Sequence, residues 1–191
     1  MKKFVVFVWE IVKVVAISLA IILPVRYYLI QPFYVKGASM EPNFFDHEYL
    51  IIDEISYRYS APERGQVIVF CYPRNPQEYF IKRVIGLPGE EVLISDGLVK
   101  VFNDENPNGF VLEESYLPDN TSTFATNSND SGDRLLIGAD EYYVLGDNRN
   151  ASKDSRDFGP VNKSFITGKV LLRGWPFNRA TVFDAEYWPQ Y

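Results

Sequence analysis

Three short segments hold side chains whose types suit nucleophilic chemistry: Val35–Pro42 (VKGASMEP), Phe80–Gly89 (FIKRVIGLPG) and Gly146–Gly159 (GDNRNASKDSRDFG). The first presents Ser39 beside a glycine, the second places Lys82 and Arg83 in an apolar run, and the third is dense in Asp, Asn, Arg and Ser. Singly, each has an ordinary explanation. A serine near glycine is usually a turn residue, a Lys-Arg pair in a strand often guards an edge, and a polar run can be a turn with local side-chain bonds.

The second segment is chemically the most informative. Strand alternation in YFIKRVI puts Phe80, Lys82 and Val84 on one face and Ile81, Arg83 and Ile85 on the other. A lysine among apolar neighbours loses hydration, and desolvation disfavours its charged form. To serve as a base near neutral pH its pKa must fall from ~10.4 to roughly 7–8, a change worth roughly 4 kcal/mol, and burial can supply it. Arginine stays protonated. Lys82 is therefore a candidate base and Arg83 is not; Arg83 suits a pairing with a carboxylate such as Asp154 or Asp147. A serine hydroxyl is a weak nucleophile until a base takes its proton, and pairing of Ser with Lys is one known solution. The separation of 43 positions between Ser39 and Lys82 allows them to sit on different, adjacent strands.

Other chemistries fit poorly. The single histidine, His47, stands in the polar stretch Asp46-His47-Glu48, so a histidine base for Ser39 is not expected. With one histidine and one cysteine, no metal site is expected. Cys71 has no disulfide partner and reads as a small apolar strand residue. A net charge of −6 argues against nucleic acid as a partner. No cofactor is implied.

Elements must bring these segments together. Val14–Val25 is free of charge but shorter than the ~20 residues that cross a bilayer. The span either extends from about Trp9 to Ile30, with Lys13 and Arg26 near its ends, or starts near Phe4 with Glu10 and Lys13 paired a turn apart. Lys2, Lys3 and Lys13 favour a cytoplasmic N-terminus, and Tyr27, Tyr28, Phe33 and Tyr34 follow like an interfacial aromatic belt. A cleaved signal peptide would be followed by small residues; the bulky sequence from Pro24 to Pro32 favours an uncleaved anchor. Residues 1–31 thus read as a cytoplasmic tip and single anchor, and 32–191 as an extracytoplasmic domain.

That domain reads as mostly β. Tyr49–Asp53, Gln66–Tyr72, Tyr79–Ile85, Glu91–Ile94, Leu98–Phe102, Tyr142–Leu145 and Gly168–Arg173 are rich in β-branched and aromatic residues. Asp96-Gly97 signals a hairpin. A polar excursion falls near 103–138, and within it Asp119–Asp133 reads as a loop or disordered segment with no role of its own.

In this order, and with an apolar span upstream, GASMEP, FIKRVIGLPGE and GDNRNASKDSRDFG resemble the signature segments of bacterial type I signal peptidases. The resemblance runs from the span to about Trp175. It implies an antiparallel, partly open barrel-like catalytic domain, a monomer, and removal of signal peptides from exported preproteins at the plasma membrane. By the resemblance Ser39 attacks the scissile carbonyl, and Lys82 takes its proton and later protonates the leaving amine. The Ser39 backbone N–H donates to the oxyanion. Some relatives carry a serine hydroxyl where this chain has Gly37. Ser152 would bond and orient the lysine amine, while Asp147, Asp154, Arg156 and Arg83 hold the surrounding loops. Phe33, Val35, Met40, Phe44, Phe80 and Ile81 would line apolar pockets for small side chains at the first and third positions before the cut. Asn43, where threonine is common, is expected to matter for packing only, and Lys36 to bear on substrate preference.

Phe44, Phe45, Trp175 and Phe177 either dip into the membrane interface or belong to the core. Two other readings stay open. One is a specialised Ser-Lys protease for pilin, transfer or organelle inner-membrane precursors. The other is an inactive membrane-tethered binding module.

Overall fold

The computed structural model describes residues 2–28, 30–125, 133–183 and 187–188, with backbone alone at 24–28, 30 and 31. The expected belt at Tyr27 and Tyr28, and residues 126–132 of the polar excursion, lie outside the side chains and residues described.

The first element, α1, is Lys2–Tyr28. Its stretch Lys2–Leu23, 22 residues, is long and apolar enough to cross a membrane, and none of it is buried against the rest of the chain. At 1.5 Å per residue it spans about 33 Å, close to a bilayer core. Lys13 Nζ donates to Glu10 Oε1 at 2.7 Å. This matches the second of the two placements: pairing the charges one turn apart lets the apolar stretch begin near the N-terminus.

Strands then follow: β1 (Ile30–Tyr34), β2 (Tyr49–Asp53), a single turn α2 (Ser56–Tyr59), β3 (Val67–Tyr72) and β4 (Asn75–Gly86). After them come β5 (Glu91–Ser95), β6 (Leu98–Phe102), β7 (Phe110–Val111), β8 (Leu135–Leu136) and β9 (Glu141–Leu145). The turn α3 (Ser155–Phe158) precedes β10 (Val161–Asn162), β11 (Ile166–Trp175) and β12 (Thr181–Val182). The larger sheet runs β1-β2-β11-β3-β4-β9-β10, with β12 on β11; the smaller runs β7-β6-β5-β8. Every pairing among them is antiparallel. The order of the larger sheet does not close on itself among the described residues, in keeping with the expected mostly-β, open architecture.

Each run read as a strand is one. Asp96 and Gly97 both take positive φ (54° and 78°) and close the hairpin with Ser95 opposite Leu98, the backbone that a two-residue turn between twisted strands requires. Pro32 sits in β1 at the end of the sheet, where the absence of an N–H is tolerated.

Strand β4 positions the site because three apolar clusters meet on it. Ile81 packs against Leu50, Ile52, Val67 and Val69. Phe80 and Val84 join Ile68, Phe70 and Val144, and Ile85 joins Val92, Val101 and Leu145. The strand is pinned on both faces, so Lys82 and Arg83 between these anchors have no freedom to swing into water.

The polar excursion is more ordered than its composition suggests. Leu112 and Ile137 are buried in the core of the smaller sheet, with Phe110 and Leu135 packed on it. Thr123 is buried, and its N–H donates to Gly97 O at 2.8 Å. These apolar residues are too sparse to give a period, yet they suffice to fold the described part of the segment back on the domain.

Candidate active site

Ser39 lies in the turn between β1 and β2. Gly37 enters it at φ +86°, a left-handed conformation that favours glycine, and its N–H donates to Asp46 Oδ1 at 2.9 Å. Phe44 N donates to Met40 O at 2.9 Å, and Val35 N to Glu48 O at 2.9 Å, closing the turn onto β2. The third segment clamps it from outside: Asn148 N donates to Ser39 O at 3.1 Å and Asn148 Nδ2 to Ala38 O at 3.1 Å. A Cβ on Gly146 would stand 2.5 Å from Ser39 O, so glycine is what lets the two segments touch. The Ser39 N–H has no acceptor among the described residues.

Lys82 pairs opposite Ile68 on β3, while on its other side β4 gains a partner, β9, only from Arg83 onward. Its side chain therefore emerges where one edge of the strand is still open. It is 3% exposed. Nζ lies 2.8 Å from Ser39 Oγ and donates to Ile81 O at 2.7 Å. Burial pushes the amine well below its ordinary pKa, to about 8, with Asp154 and Asp147 pulling the other way. The amine thus loses its proton close to neutral pH with its nitrogen in reach of the hydroxyl.

Arg83, the next residue, faces away. Nε and Nη2 donate to the two oxygens of Asp147 at 2.8 and 2.6 Å, and Nη1 donates to Gly65 O at 2.8 Å. Of the two carboxylates open from the sequence, Asp147 is the partner. Asp154 instead takes Arg156 Nε and Nη2, both at 2.8 Å. It also caps α3 through Arg156 N and receives Gly146 N at 3.0 Å. All four charged side chains are buried, and each is met by a planar, two-bonded partner.

Four of the expected pocket residues, Phe33, Val35, Phe80 and Ile81, line a groove of about 540 Å³ that contains Ser39 and Lys82. Met40 and Phe44 do not. They are 1% and 0% exposed and belong to the core with Leu50 and Ile52, Phe44 packing on Phe183 at 5.1 Å. They anchor the serine turn from beneath. Phe44 is likewise no candidate for the membrane interface, whereas Phe45, Trp175 and Phe177 are exposed.

Ser152 departs from expectation. Its Oγ is buried with no hydrogen-bond partner among the described residues. It packs on Gly146, and the lysine amine spends its contacts on Ser39 and Ile81 instead. Asn43 does more than pack: Nδ2 donates at 2.8 Å both to Asp147 Oδ2 and to Tyr116 O, and its carbonyl accepts from Arg173 at 2.6 Å. Sequence reading missed the excursion's share altogether. Tyr116 stacks at 3.9 Å on the Arg83 guanidinium, Glu114 and Thr123 bind Arg149, and Phe124 O accepts from Arg156 at 3.2 Å. No motif or period in 103–138 marked these residues as partners of the third segment. His47 is exposed, pairs with Asp46 at 3.0 Å and is not among the residues that line the groove.

Comparison with known proteins identifies the family. The family model "Signal peptidase, peptidase S26" matches residues 8–175. A "Probable signal peptidase I-2" of Synechocystis is 36% identical over 184 residues, 93% of this chain and 78% of that protein. A "Signal peptidase IB" of Staphylococcus aureus is 35% identical over 175 residues, 86% of this chain and 87% of that one. A solved signal peptidase I from Enterococcus faecalis aligns with a TM-score of 0.46 at 34% identity, over 58% of this chain and 97% of that one. The chain belongs to the signal peptidase family, peptidase S26, and is a peptidase.

Proposed function

We propose that this chain is a membrane-anchored serine endopeptidase that removes N-terminal signal peptides from exported preproteins after small-x-small sites. Ser39 is its nucleophile and neutral Lys82 its general base. The observation that carries the reading is the 2.8 Å approach of a buried lysine amine to a serine hydroxyl at the floor of an apolar groove.

With Lys82 uncharged, the Ser39 hydroxyl donates to the Nζ lone pair. Oγ attacks the scissile carbonyl as the amine takes its proton, and the free Ser39 N–H receives the oxyanion. The ammonium of Lys82 then protonates the leaving amine, giving an acyl-enzyme. Water, deprotonated by the same amine, releases the peptide and restores Ser39. Phe33, Val35, Phe80 and Ile81 leave room for small side chains before the cut. Arg83, Asp147, Asp154 and Arg156 hold the strand and loop that frame the pair. Gly37 supplies no hydroxyl, so a side-chain oxyanion donor is not assigned.

Residues 1–31 are assigned as the anchor and 32–191 as the catalytic domain. Lys2 and Lys3 favour a cytoplasmic N-terminus. The tether keeps the groove close to the membrane surface, where a signal peptide presents its cleavage site, and so raises the effective concentration of substrate.

Incubation of the full chain in detergent micelles with a preprotein carrying an Ala-x-Ala site tests this. Cleavage after the second alanine is expected, seen by sequencing the product's N-terminus. Ser39→Ala and Lys82→Met should each lose at least about a hundredfold in rate while remaining folded. Full activity in either variant would end the proposed mechanism.

A further inference from the structure

The groove has a charge of opposite sign to the molecule that contains it. The chain carries −6, yet besides Lys82 the groove is lined by Lys36 and Lys153 against one acid, Glu78. Both lysines are exposed, and neither has a carboxylate within ion-pair distance among the described residues. The nearby acids make their contacts with other groups, and Glu78 is the one negative charge among the groove's lining residues. Glu78 accepts from Asn75 Nδ2 at 2.8 Å. Asp46 holds Gly37 N and His47. Asp147 and Asp154 are taken by Arg83 and Arg156.

Lys153 is also held in place. Its ammonium sits 4.7 Å over the Tyr72 ring, and Tyr72 stacks at 4.5 Å and 10° on Phe80, a ring that also has the Lys82 amine 5.3 Å from its centroid. A cation fixed over an aromatic face gives up less freedom on meeting an anion. Lys36 lies three residues before the nucleophile, on the wall formed by Phe33 and Val35.

We propose that Lys36 and Lys153 are specificity-determining residues that favour substrates bearing an acidic side chain close to the scissile bond. The inference rests on the peptidase reading above and names a feature of its substrates. Extended peptide advances about 3.3 Å per residue. The carboxylates in reach are therefore those within a few positions of the cut, far from the basic N-terminus of a signal peptide. The sites are wet, so the effect is modest and falls with salt.

Matched peptides with an Ala-x-Ala site test it, with Glu, Gln or Lys placed in turn at each position from the third before to the third after the cut. The full chain is assayed in zwitterionic micelles at low and high ionic strength. At one or more positions Glu should exceed Gln by about two- to fivefold in kcat/KM at low salt, and the advantage should shrink at high salt. Lys36→Glu or Lys153→Glu should invert the order, now favouring the Lys peptide; that gain also shows the variant to be folded. Equal cleavage of Glu and Gln peptides at every position overturns the inference while leaving the peptidase reading intact. Failure to cleave any peptide, the Gln series included, removes both. If rates follow added anionic lipid instead of peptide charge, and the two variants lose that dependence, the lysines face a membrane and the proposal is wrong.

Discussion

Arg83 and Asp147 meet through two parallel bonds of 2.8 and 2.6 Å, on side chains 1% and 0% exposed, directly beside Lys82 in the chain. The neighbouring residues thus divide two tasks. Arg83 ties β4 to the third segment, and Lys82 presents its amine to Ser39. Asp147→Asn would strand a buried guanidinium and should destabilise the domain by about 3–5 kcal/mol. Replacing both members by apolar residues of similar size should recover much of that. Thermal melts of the single and double variants measure it.

The pH dependence of cleavage follows from the lysine. Its pKa is lowered to about 8 by burial. Below that pH the amine is protonated and cannot accept from Ser39, so kcat/KM should fall as pH drops through about 8 and level off above it. Asp147 and Asp154 oppose the lowering, so a folded Asp154→Asn variant should move the limb to lower pH. A flat profile from about 6 to about 9 would show that no such amine is in use.

The same burial costs stability. Folded Lys82 releases its proton near pH 8 and an unfolded lysine near ~10.4, so between these values the unfolded chain binds more protons and stability rises with pH. Below about 8 the full penalty applies, about 3 kcal/mol. Lys82→Met should therefore be more stable than the natural protein at pH 7, with the difference shrinking as pH climbs toward ~10.4. Denaturant unfolding of both at pH 7 and 10 decides it; a less stable variant at pH 7 would contradict the assigned penalty.

Much of this was legible in the sequence because it is local. The strands show as β-branched runs, the hairpin as Asp96-Gly97, and the lysine's surroundings as YFIKRVI. What was not legible depends on contacts across the chain. The sequence left Arg83 a choice of Asp147 or Asp154, since both lie in one segment; only the fold shows Asp154 capping α3 and taking Arg156. The resemblance implied that Met40 and Phe44 line the pocket, but the turn between Ala38 and Phe44 rolls them under the serine. Asn43 and the excursion residues Glu114, Tyr116 and Thr123 carry no period and no motif. Their role appears only when the cations they satisfy are folded against them.

Gly146 offers the most direct test of how the segments fit. It is buried, its N–H goes to Asp154, and it packs between Ser152 and the carbonyl of Ser39. A methyl group at this position would lie 2.5 Å from Ser39 O, well inside contact distance, so either the loop or the serine turn must retreat. The loop is fixed by Asp154, Arg156 and the bidentate Arg83–Asp147 pair, whereas the serine turn is held to it by the two bonds from Asn148. The turn should yield. A shift of about 1 Å at a nucleophile costs on the order of a hundredfold in rate, so Gly146→Ala should lose activity to that degree while its melting temperature falls only slightly. Ser152→Gly in the same chain removes one of the two obstructing groups but not the carbonyl, and should restore activity only in part. Single-turnover cleavage rates set beside thermal melts separate these outcomes, and wild-type rates in Gly146→Ala would show that the close approach of the two segments does not place the nucleophile.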